Sequence, residues 1–354
     1  MKKIRQLKKR SIEIIKDCCL DNGSIVAANS TKKYYPSEAK HYFYVWPRDA
    51  SFVCISADLF GIKKIQENFF EWCLNRAEGF RRKGLFFEKY FPNGLKAETR
   101  FQPDQGGSIL FAIHHHYQKK LSRAFEFEEL ITKTADGLCN NWNKGHFKLI
   151  TNDLWEERHT FPDLKDNFTY DLAACSKGLE LANEIIENPK WLETSNQMKE
   201  ILKKHYNGKF FVRSHGILSD ERIDASMFGL IYPFNTIGAN DPMMISTVKE
   251  IENKLVKNGG MHRYEHDEYD GWMYEGFHRK KGAGAWPLLN FWASIYFSIF
   301  GDKKKAKDYF FWVVDKVEDY IPEQIFENNV QVSVSPLAWS HVKFLISGKF
   351  LKLF

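Results

Sequence analysis

Helical periodicity is the feature of this sequence that most restricts its fold. Apolar residues recur at three- and four-residue steps, as in 302–318, where Ala306, Phe310 and Val313 share one face. Strand signals are few and short, such as 210–213. The pattern therefore predicts an all-α fold of about twelve helices: 4–20, 47–60, 62–78, 104–119, 123–143, 168–187, 189–206, 222–230, 242–256, 284–300, 302–318 and 335–347.

Long irregular connections separate the helices and carry most of the glycines, prolines and charged-aromatic clusters. They are 21–46, 80–103, 144–167, 257–283 and 319–334. Their alternation with helices indicates a repeated helical hairpin, and six hairpins closing on themselves form a ring of inner and outer helices around one pocket. No low-complexity linker divides the chain. We expect one domain over 1–354, in which 1–40 form a helix and a loop leading into the first polar cluster.

Composition and charge exclude several classes of protein. A net charge of +6 over 354 residues is too small to indicate a nucleic-acid binder. No apolar stretch reaches the ~18 residues of a membrane span, and charged residues follow the basic start MKKIRQLKKR where a signal peptide would be apolar. The six cysteines include no CxxC pair. We expect a cytoplasmic protein with reduced thiols and without a nucleic-acid or membrane partner.

Four of the connections contain aromatic rings beside charged side chains. The clusters are YFYVWPRD (42–49), DLWEER (153–158), GGMHRYEHD (259–267) and IPEQ (321–324). Rings cover the C–H faces of a sugar, while Arg, Asp and Glu bind its hydroxyls, and glycosidic cleavage requires two carboxyl groups. The alternative is loop salt bridges beside core aromatics. Four such clusters in four connections favour a carbohydrate site, with an oligosaccharide as the binding partner.

Metal and cofactor sites have little support in the sequence. His262 and His266 are four residues apart, but they lack the HExxH order of a zinc helix. The three consecutive histidines from His114 point about 100° apart on a helix and cannot converge on one ion. We therefore expect neither a metal nor a cofactor.

Four segments follow one another along the chain: YVWPRDA (44–50), DLWEER (153–158), GGMHRYEHDEY (259–269) and IPEQIF (321–326), with PLAWSH (336–341) behind them. Together they resemble the glucoamylase family, glycoside hydrolase family 15. The resemblance runs in order from about residue 42 to residue 347. It implies an (α/α)6 barrel, the six-hairpin toroid of that family, and this agrees with the helices counted from periodicity.

The resemblance also implies the two catalytic carboxyl groups. Glu156 matches the general acid, and Glu323 matches the general base that activates water. Family members invert the anomeric centre, so an α-linked substrate should release β-glucose. The sequence alone does not decide between Glu156 and its neighbour Glu157 as the acid.

Further residues are expected to bind the substrate. By resemblance, Arg48 and Asp49 grip the terminal sugar, Tyr42 lies near the reacting ring, and Arg263 and Asp267 form another sugar-binding pair. Trp155 and Glu157 should border the next subsite. Other aromatic side chains in or beside the connections are candidates for the same surface: Trp46, Tyr264, Trp272 and Trp286.

Two departures from the family bear on the substrate. Only about 40 residues precede the first motif, where prokaryotic members usually carry a β-sandwich domain, and no starch-binding module follows the barrel. Short oligosaccharides are therefore favoured over insoluble polymer. Secondly, Glu98, Thr99, Arg100 and Phe101 stand near the position of a stacking tryptophan in fungal members, which leaves the linkage preference open.

The expected function is that of an inverting, exo-acting α-glucosidase of the glucan 1,4-α-glucosidase type. It would remove non-reducing terminal glucose from α-1,4-linked oligosaccharides. The alternatives are an α-1,6 glucohydrolase acting on isomaltose or dextran fragments, an α,α-trehalase, and a non-catalytic sugar-sensing domain of the same fold. The presence of both Glu156 and Glu323 argues against the last of these.

Overall fold

The computed structural model describes residues 2–271, 283–327 and 333–354. Its helices in chain order are α1 Lys2–Cys18, α2 Pro47–Phe60, α3 Ile65–Asn75, α4 Phe80–Lys83, α5 Pro103–Tyr117, α6 Glu128–Asn141, α7 Thr169–Ile185, α8 Pro189–Lys204, α9 Pro242–Leu255, α10 Pro287–Phe300, α11 Lys303–Lys316 and α12 Ala338–Phe350. Three 3₁₀ helices accompany them: Leu121–Phe127, Pro162–Leu164 and Ala225–Leu230.

The strands form three small antiparallel pairs. They are β1 Thr151–Asn152 with β2 His159–Thr160, β3 Asn167–Phe168 with β4 Ser214–His215, and β5 Val256–Lys257 with β6 Gly260–Met261. Each strand has only two residues, so the pairs shape connections rather than build a sheet.

Local sequence explains where many helices begin and end. A proline occupies the first position of α2, α5, α8, α9 and α10, where its missing N–H costs nothing and its fixed φ suits a helix. Asn188 and Asp241 cap α8 and α9 through their side chains. Gly61 and Gly301 end α2 and α10 in the left-handed conformation.

Six helical segments form a closed inner ring. Contacts run from α2 to α5, α7, the 3₁₀ helix Ala225–Leu230, α10 and α12, and α12 returns to α2. These segments are buried along most of their length. The outer layer consists of α1, α3, α6, α8, α9 and α11, each packed against the inner ring. The all-α, (α/α)6 prediction is confirmed.

The structure corrects three local predictions. The fourth inner segment is not a helix over 222–230 but the shorter 3₁₀ helix Ala225–Leu230. The strand predicted at 210–213 is wrong, and the strand found nearby is Ser214–His215. The Phe211 amide donates to the Thr247 hydroxyl at 3.0 Å instead of to a neighbouring strand, and the Arg213 side chain turns inward, where it forms ion pairs. The single-turn α4 lies inside a predicted connection, bounded by left-handed Gly79 and Gly84.

The inner helices begin at the end of the ring where the polar connections lie. Arg48 and Asp49 occupy the first turn of α2, Trp286 precedes α10, and Trp339 is in the first turn of α12. The ring thus brings residues that are far apart in sequence to one rim. Within the described ranges, no helix combines the length and apolar character needed to cross a membrane.

Candidate active site

A cavity of about 660 Å³ opens at this rim. It receives side chains from all four sequence clusters. All of the predicted site residues except Asp267 and Trp272 line it, namely Tyr42, Trp46, Arg48, Asp49, Trp155, Glu156, Glu157, Arg263, Tyr264, Trp286 and Glu323. Trp272 lies outside the described residues.

Glu156 is presented to the cavity by a strained turn. Its φ is 66°, a left-handed conformation that non-glycine residues adopt rarely. The Asp153 side chain fixes the turn by accepting from the amides of Glu157 at 2.8 Å and Arg158 at 3.0 Å. Arg213 in turn forms a buried ion pair with Asp153. The turn conformation is therefore imposed by residues beneath it, which is typical of functional positions.

The Glu156 carboxyl group has a distinctive environment. The Trp46 indole donates to its Oε1, and the Lys89 ammonium lies 3.7 Å from its Oε2. The pKa of Glu156 is raised to about 8, chiefly by burial and then by the negative charge of Glu88, while Lys89 and Arg48 oppose both effects. Glu156 is therefore a carboxyl group that holds its proton at neutral pH.

Glu323 reaches the cavity from the turn before α12. Its amide donates to the Val334 carbonyl at 2.8 Å, and only 3% of the residue is exposed. Burial raises its pKa to about 7, while a hydrogen bond from Tyr42 and the charge of Arg263 lower it. Among the described residues, its buried Oε2 has no hydrogen-bond partner.

Arg48 and Asp49 form a rigid polar corner of the cavity. Arg48 Nε lies 3.1 Å from Asp49 Oδ1, and its Nη1 lies 3.1 Å from Asp104 Oδ2. Gln105 accepts from the Arg48 amide at 2.6 Å, and the guanidinium stacks on Trp339 at 5.2 Å. Burial raises the pKa of Asp49 to about 6, an effect that Arg48 opposes. Both groups are held in place before any ligand arrives.

Arg263 organises the opposite wall. Its Nη2 donates to Glu157 Oε1 at 2.6 Å and to Asp267 Oδ1 at 2.7 Å, and Nε donates to Asp267 Oδ2 at 2.8 Å. The Tyr264 hydroxyl also donates to Glu157. Asp267, expected to touch the sugar, lies instead behind Arg263 with its side chain buried. Glu157 is thus engaged by two donors, unlike Glu156.

Aromatic rings surround these charges. Tyr42 packs on Trp46 at 5.5 Å, and Trp155 packs on Trp286 at 5.6 Å between ring centroids. The Trp155 indole donates to both oxygens of the buried Asp224, at 3.1 and 3.0 Å, which fixes its ring. The cavity therefore offers fixed rings together with charged hydrogen-bonding groups, the combination that sugars require.

Sequence reasoning missed one side of the cavity. Lys40, Lys89 and Tyr269 also line it, beside Glu98 and Arg100 from the segment that the sequence tied to the linkage preference. Tyr269 shares a 3.0 Å hydroxyl contact with Tyr42. Lys89 comes from the aromatic stretch LFFEKYF (85–91). The only sequence signal for it was the pair of opposite charges, Glu88 and Lys89, inside this apolar run.

Metal binding has no support in the part of the chain that the structure describes. No group of three or more His, Cys, Asp or Glu side chains in residues 2–271, 283–327 and 333–354 could hold an ion. The arrangement is one of carboxyl groups, guanidinium groups and rings, which can bind a polyol and move protons.

Comparison with known proteins places this geometry in a family. The family model Glycosyl hydrolases family 15 matches residues 9–349. An uncharacterised glycosyl hydrolase of Methanocaldococcus jannaschii is 32% identical over 97% of this chain and 55% of its own length. Trehalase 1 of Sulfolobus acidocaldarius is 26% identical over 73% of this chain and 43% of its own length. The chain spans about half the length of the curated relatives it matches.

Solved structures share the fold. A wild-type glycosidase superimposes with a TM-score of 0.82 at 19% identity, over 99% of this chain and 98% of that one. A bacterial glucoamylase complexed with acarbose gives a TM-score of 0.72 at 18% identity, over 97% of this chain and 55% of that one. Because the family model covers nearly the whole sequence, the chain belongs to glycosyl hydrolase family 15.

Proposed function

We propose that this chain is an inverting, exo-acting α-glucosidase that releases β-glucose from the non-reducing ends of short α-1,4-linked gluco-oligosaccharides. The observation that carries the proposal is the meeting of Glu156 and Glu323 in one cavity, with the pKa of Glu156 raised to about 8 and that of Glu323 to about 7. Two carboxyl groups of unequal proton affinity are what acid–base glycoside hydrolysis requires.

In this proposal Glu156 is the acid and Glu323 is the base. Glu156 protonates the glycosidic oxygen as the C–O bond breaks, while Glu323 takes a proton from a water that attacks the anomeric carbon from the opposite face. Glu157 is less suited to the acid role because Arg263 and Tyr264 already bind its oxygens. Arg48 and Asp49 would hold the hydroxyls of the terminal glucose.

α,α-Trehalose is the second candidate substrate. Two curated relatives, at 26% and 25% identity, carry the name trehalase. Trehalose and α-1,4-linked oligosaccharides both present a terminal α-glucosyl unit, so they differ only on the leaving-group side of the cavity. We assign Lys89, Glu98 and Arg100 to that side, because Lys89 lies 3.7 Å from the proposed acid and Glu98 pairs with both cations. Such charged groups suit a small polar leaving group.

A substrate panel tests the proposal. Maltose, maltoheptaose, isomaltose and trehalose are each incubated with the wild-type chain and with Glu156→Gln as a negative control, and glucose release is measured. Proton NMR of the first product reports its anomer. We expect β-glucose, with the fastest release from maltose or a longer α-1,4 chain. Release of α-glucose as the first product from maltoheptaose would refute inversion, whereas trehalose frees one α-glucose as its leaving group under either stereochemistry. Binding of all four sugars without release would favour a sugar-sensing domain.

Two wider predictions remain proposals. We propose that residues 1–354 act as one catalytic domain, which the packing of α1 against α12 supports. We also propose a cytoplasmic location, supported by six cysteines that form no disulfide with one another. Limited proteolysis that leaves the chain intact would agree with the first, and cell fractionation tests the second.

A further inference from the structure

A buried carboxylate lies behind the cavity wall and has no part in the reaction just described. The Glu88 side chain is fully buried. Arg100 Nη2 donates to its Oε1 at 2.8 Å, and Arg100 Nε lies 2.6 Å from its Oε2. Asn152 Nδ2 donates to Oε2 at 2.6 Å. A carboxyl group with a two-point guanidinium partner and an amide donor is bound as an anion.

Glu88 reaches Glu156 through one shared cation. The Lys89 ammonium lies 3.3 Å from Glu88 Oε1 and 3.7 Å from Glu156 Oε2. The same ammonium sits 5.3 Å from the centre of the Trp46 ring, and the Trp46 indole donates to the other oxygen of Glu156. Glu88, Lys89, Trp46 and Glu156 therefore form one connected group.

The backbone holds Glu88 in place. Its amide donates to the Arg100 carbonyl at 2.9 Å, and its carbonyl accepts from Gln105 Nε2 at 2.9 Å. Gln105 also accepts from the amide of Arg48. Glu88 is thus tied to the corner that would hold the terminal sugar, so its charge has a fixed position relative to the reacting bond.

We propose that Glu88 is a positioning residue for the general acid: its buried negative charge, fixed on the far side of the Lys89 ammonium, holds the Glu156 carboxyl group in the protonated form and aims it at the glycosidic oxygen. The inference rests on the proposed function, since it assigns Glu156 the role of the acid. Glu88 itself does not line the cavity and acts only through Glu156.

Several charged or titratable groups surround Glu156, and those other than Glu88 either oppose its effect on the pKa of Glu156 or add to it weakly. Those that face or influence Glu156 are Glu88, Lys89, Arg48, Arg100, Tyr42 and Tyr269. The cations Lys89 and Arg48 lower the pKa of Glu156, whereas burial and Glu88 raise it. Without Glu88, the neighbouring cations would oppose burial alone, and the pKa of Glu156 would fall toward its usual range.

The test replaces Glu88 with the neutral isostere in Glu88→Gln. Glu250→Gln is the matched control, because Glu250 is also largely buried and paired with lysines but lies on α9. In protein labelled with ¹³C-glutamate, the Glu156 resonance is identified by its loss in Glu156→Gln. We expect its titration midpoint to fall by about one pH unit in Glu88→Gln and to stay in place in Glu250→Gln.

Kinetics give a second readout that a purely structural role would not produce. The glucoside that the wild type hydrolyses best needs a proton on its leaving oxygen, whereas the fluoride of α-glucosyl fluoride leaves with little assistance. Because the titration midpoint of Glu156 falls by one pH unit, we expect Glu88→Gln to lose about tenfold in kcat/KM on the glucoside above pH 8. The alkaline limb of its pH profile should move to lower pH. The loss on the fluoride should be much smaller.

Each outcome decides the proposal. An unchanged Glu156 midpoint in Glu88→Gln, or an equal fall in Glu250→Gln, overturns it. If Glu88→Gln does not fold, the double variant Lys89→Met/Glu88→Gln replaces it, because it removes the ammonium together with the carboxylate. The titration midpoint of Glu156 in this double variant must then lie below its midpoint in the single variant Lys89→Met. Lack of hydrolysis by the wild type would refute only the proposed function, because the NMR titration needs no turnover.

Discussion

At the residue scale, the two carboxyl groups of the cavity differ in what surrounds them. Glu156 has a like charge, Glu88, beside it, whereas Glu323 accepts from Tyr42 and lies near the cation Arg263. Burial raises both pKa values, and these neighbours then separate them in the order that an acid and a base need. Burial is the largest cause for both groups, and the polar partners adjust its effect.

The first prediction concerns pH. The proposed mechanism requires Glu323 ionised and Glu156 protonated, so activity should fall as the pH drops through about 7 and as it rises through about 8. A profile of kcat/KM against pH should be a narrow bell with its maximum between these values. The two apparent pKa values of its limbs describe the interacting pair of carboxyl groups together rather than each residue alone. A broad plateau reaching down to pH 5 would contradict the raised pKa of Glu323.

The second prediction concerns Glu323→Gln. Loss of the base should lower kcat by about 10²–10⁴-fold while sugar binding, measured by calorimetry, stays nearly unchanged. Because the folded-state pKa is raised, the native carboxyl group costs stability once the pH exceeds its unfolded value. The variant should therefore gain on the order of 2 kcal/mol in the free energy of unfolding near pH 8 and nothing near pH 4.

Urea titrations at both pH values measure that gain. The exposed Glu318→Gln, in the connection that leads to the same turn, is the control and should change neither hydrolysis nor stability. An equal gain at both pH values would mean that packing, not ionisation, limits stability at position 323.

Individual residues show which parts of the candidate site could be predicted from the sequence. Arg48, Glu156 and Glu323 could be predicted because each stands in a short cluster of charges and rings. Glu88 could not, since it sits in an apolar run and becomes relevant only when Arg100 and Asn152 fold around it. Asp267 was expected at the sugar, but nothing in the cluster indicated that Arg263 would lie in front of it.

At the element scale, the helices follow from local signals and the connections do not. Proline starts and apolar periodicity predicted most helix bounds to within a few residues. The turn that presents Glu156 depends instead on Arg213 and Asp224, which contact Asp153 and Trp155 across more than fifty residues of chain. No local pattern reports such a contact, so the conformation of the turn could not be predicted.

The third prediction tests the closest helix pair. Gly107 of α5 meets α7 so tightly that a Cβ there would lie 2.4 Å from the Ala174 carbonyl oxygen. Gly107→Ala should force the helices apart and lower the free energy of unfolding by at least about 1–3 kcal/mol, measured by urea denaturation. Gly145→Ala, with open space around it, is the control and should be nearly neutral. Equal effects would contradict the close approach.

At the scale of the whole molecule, the ring closes around a buried lysine. Lys343 of α12 is fully buried, and its ammonium nitrogen lies 3.5 Å from the ring centre of Trp292 and 4.0 Å from that of Phe52. Within the described residues it has no hydrogen-bond partner. Burial lowers its pKa well below the usual value. The joint between α10, α12 and α2 thus contains an amine that resists protonation.

The fourth prediction follows from that joint. The unfolded chain binds the Lys343 proton more readily than the fold does, so this residue reduces stability increasingly as the pH falls. Lys343→Met should raise the free energy of unfolding by about 1–3 kcal/mol at neutral pH and leave hydrolysis intact. Thermal denaturation across pH measures the gain, with exposed Lys349→Met as the control. A destabilised variant would show that the rings bind a charged ammonium.

The placement of Lys89, Glu98 and Arg100 has an evolutionary consequence. All three arise from the single stretch 84–102 between α4 and α5, whereas the groups that would hold the terminal glucose come from other stretches. Under the proposed function, replacement of this one stretch by recombination would exchange the acceptor side and spare the donor side. New linkage preferences could then arise in a lineage without loss of the hydrolytic chemistry, provided that each incoming stretch preserves a partner for Glu156.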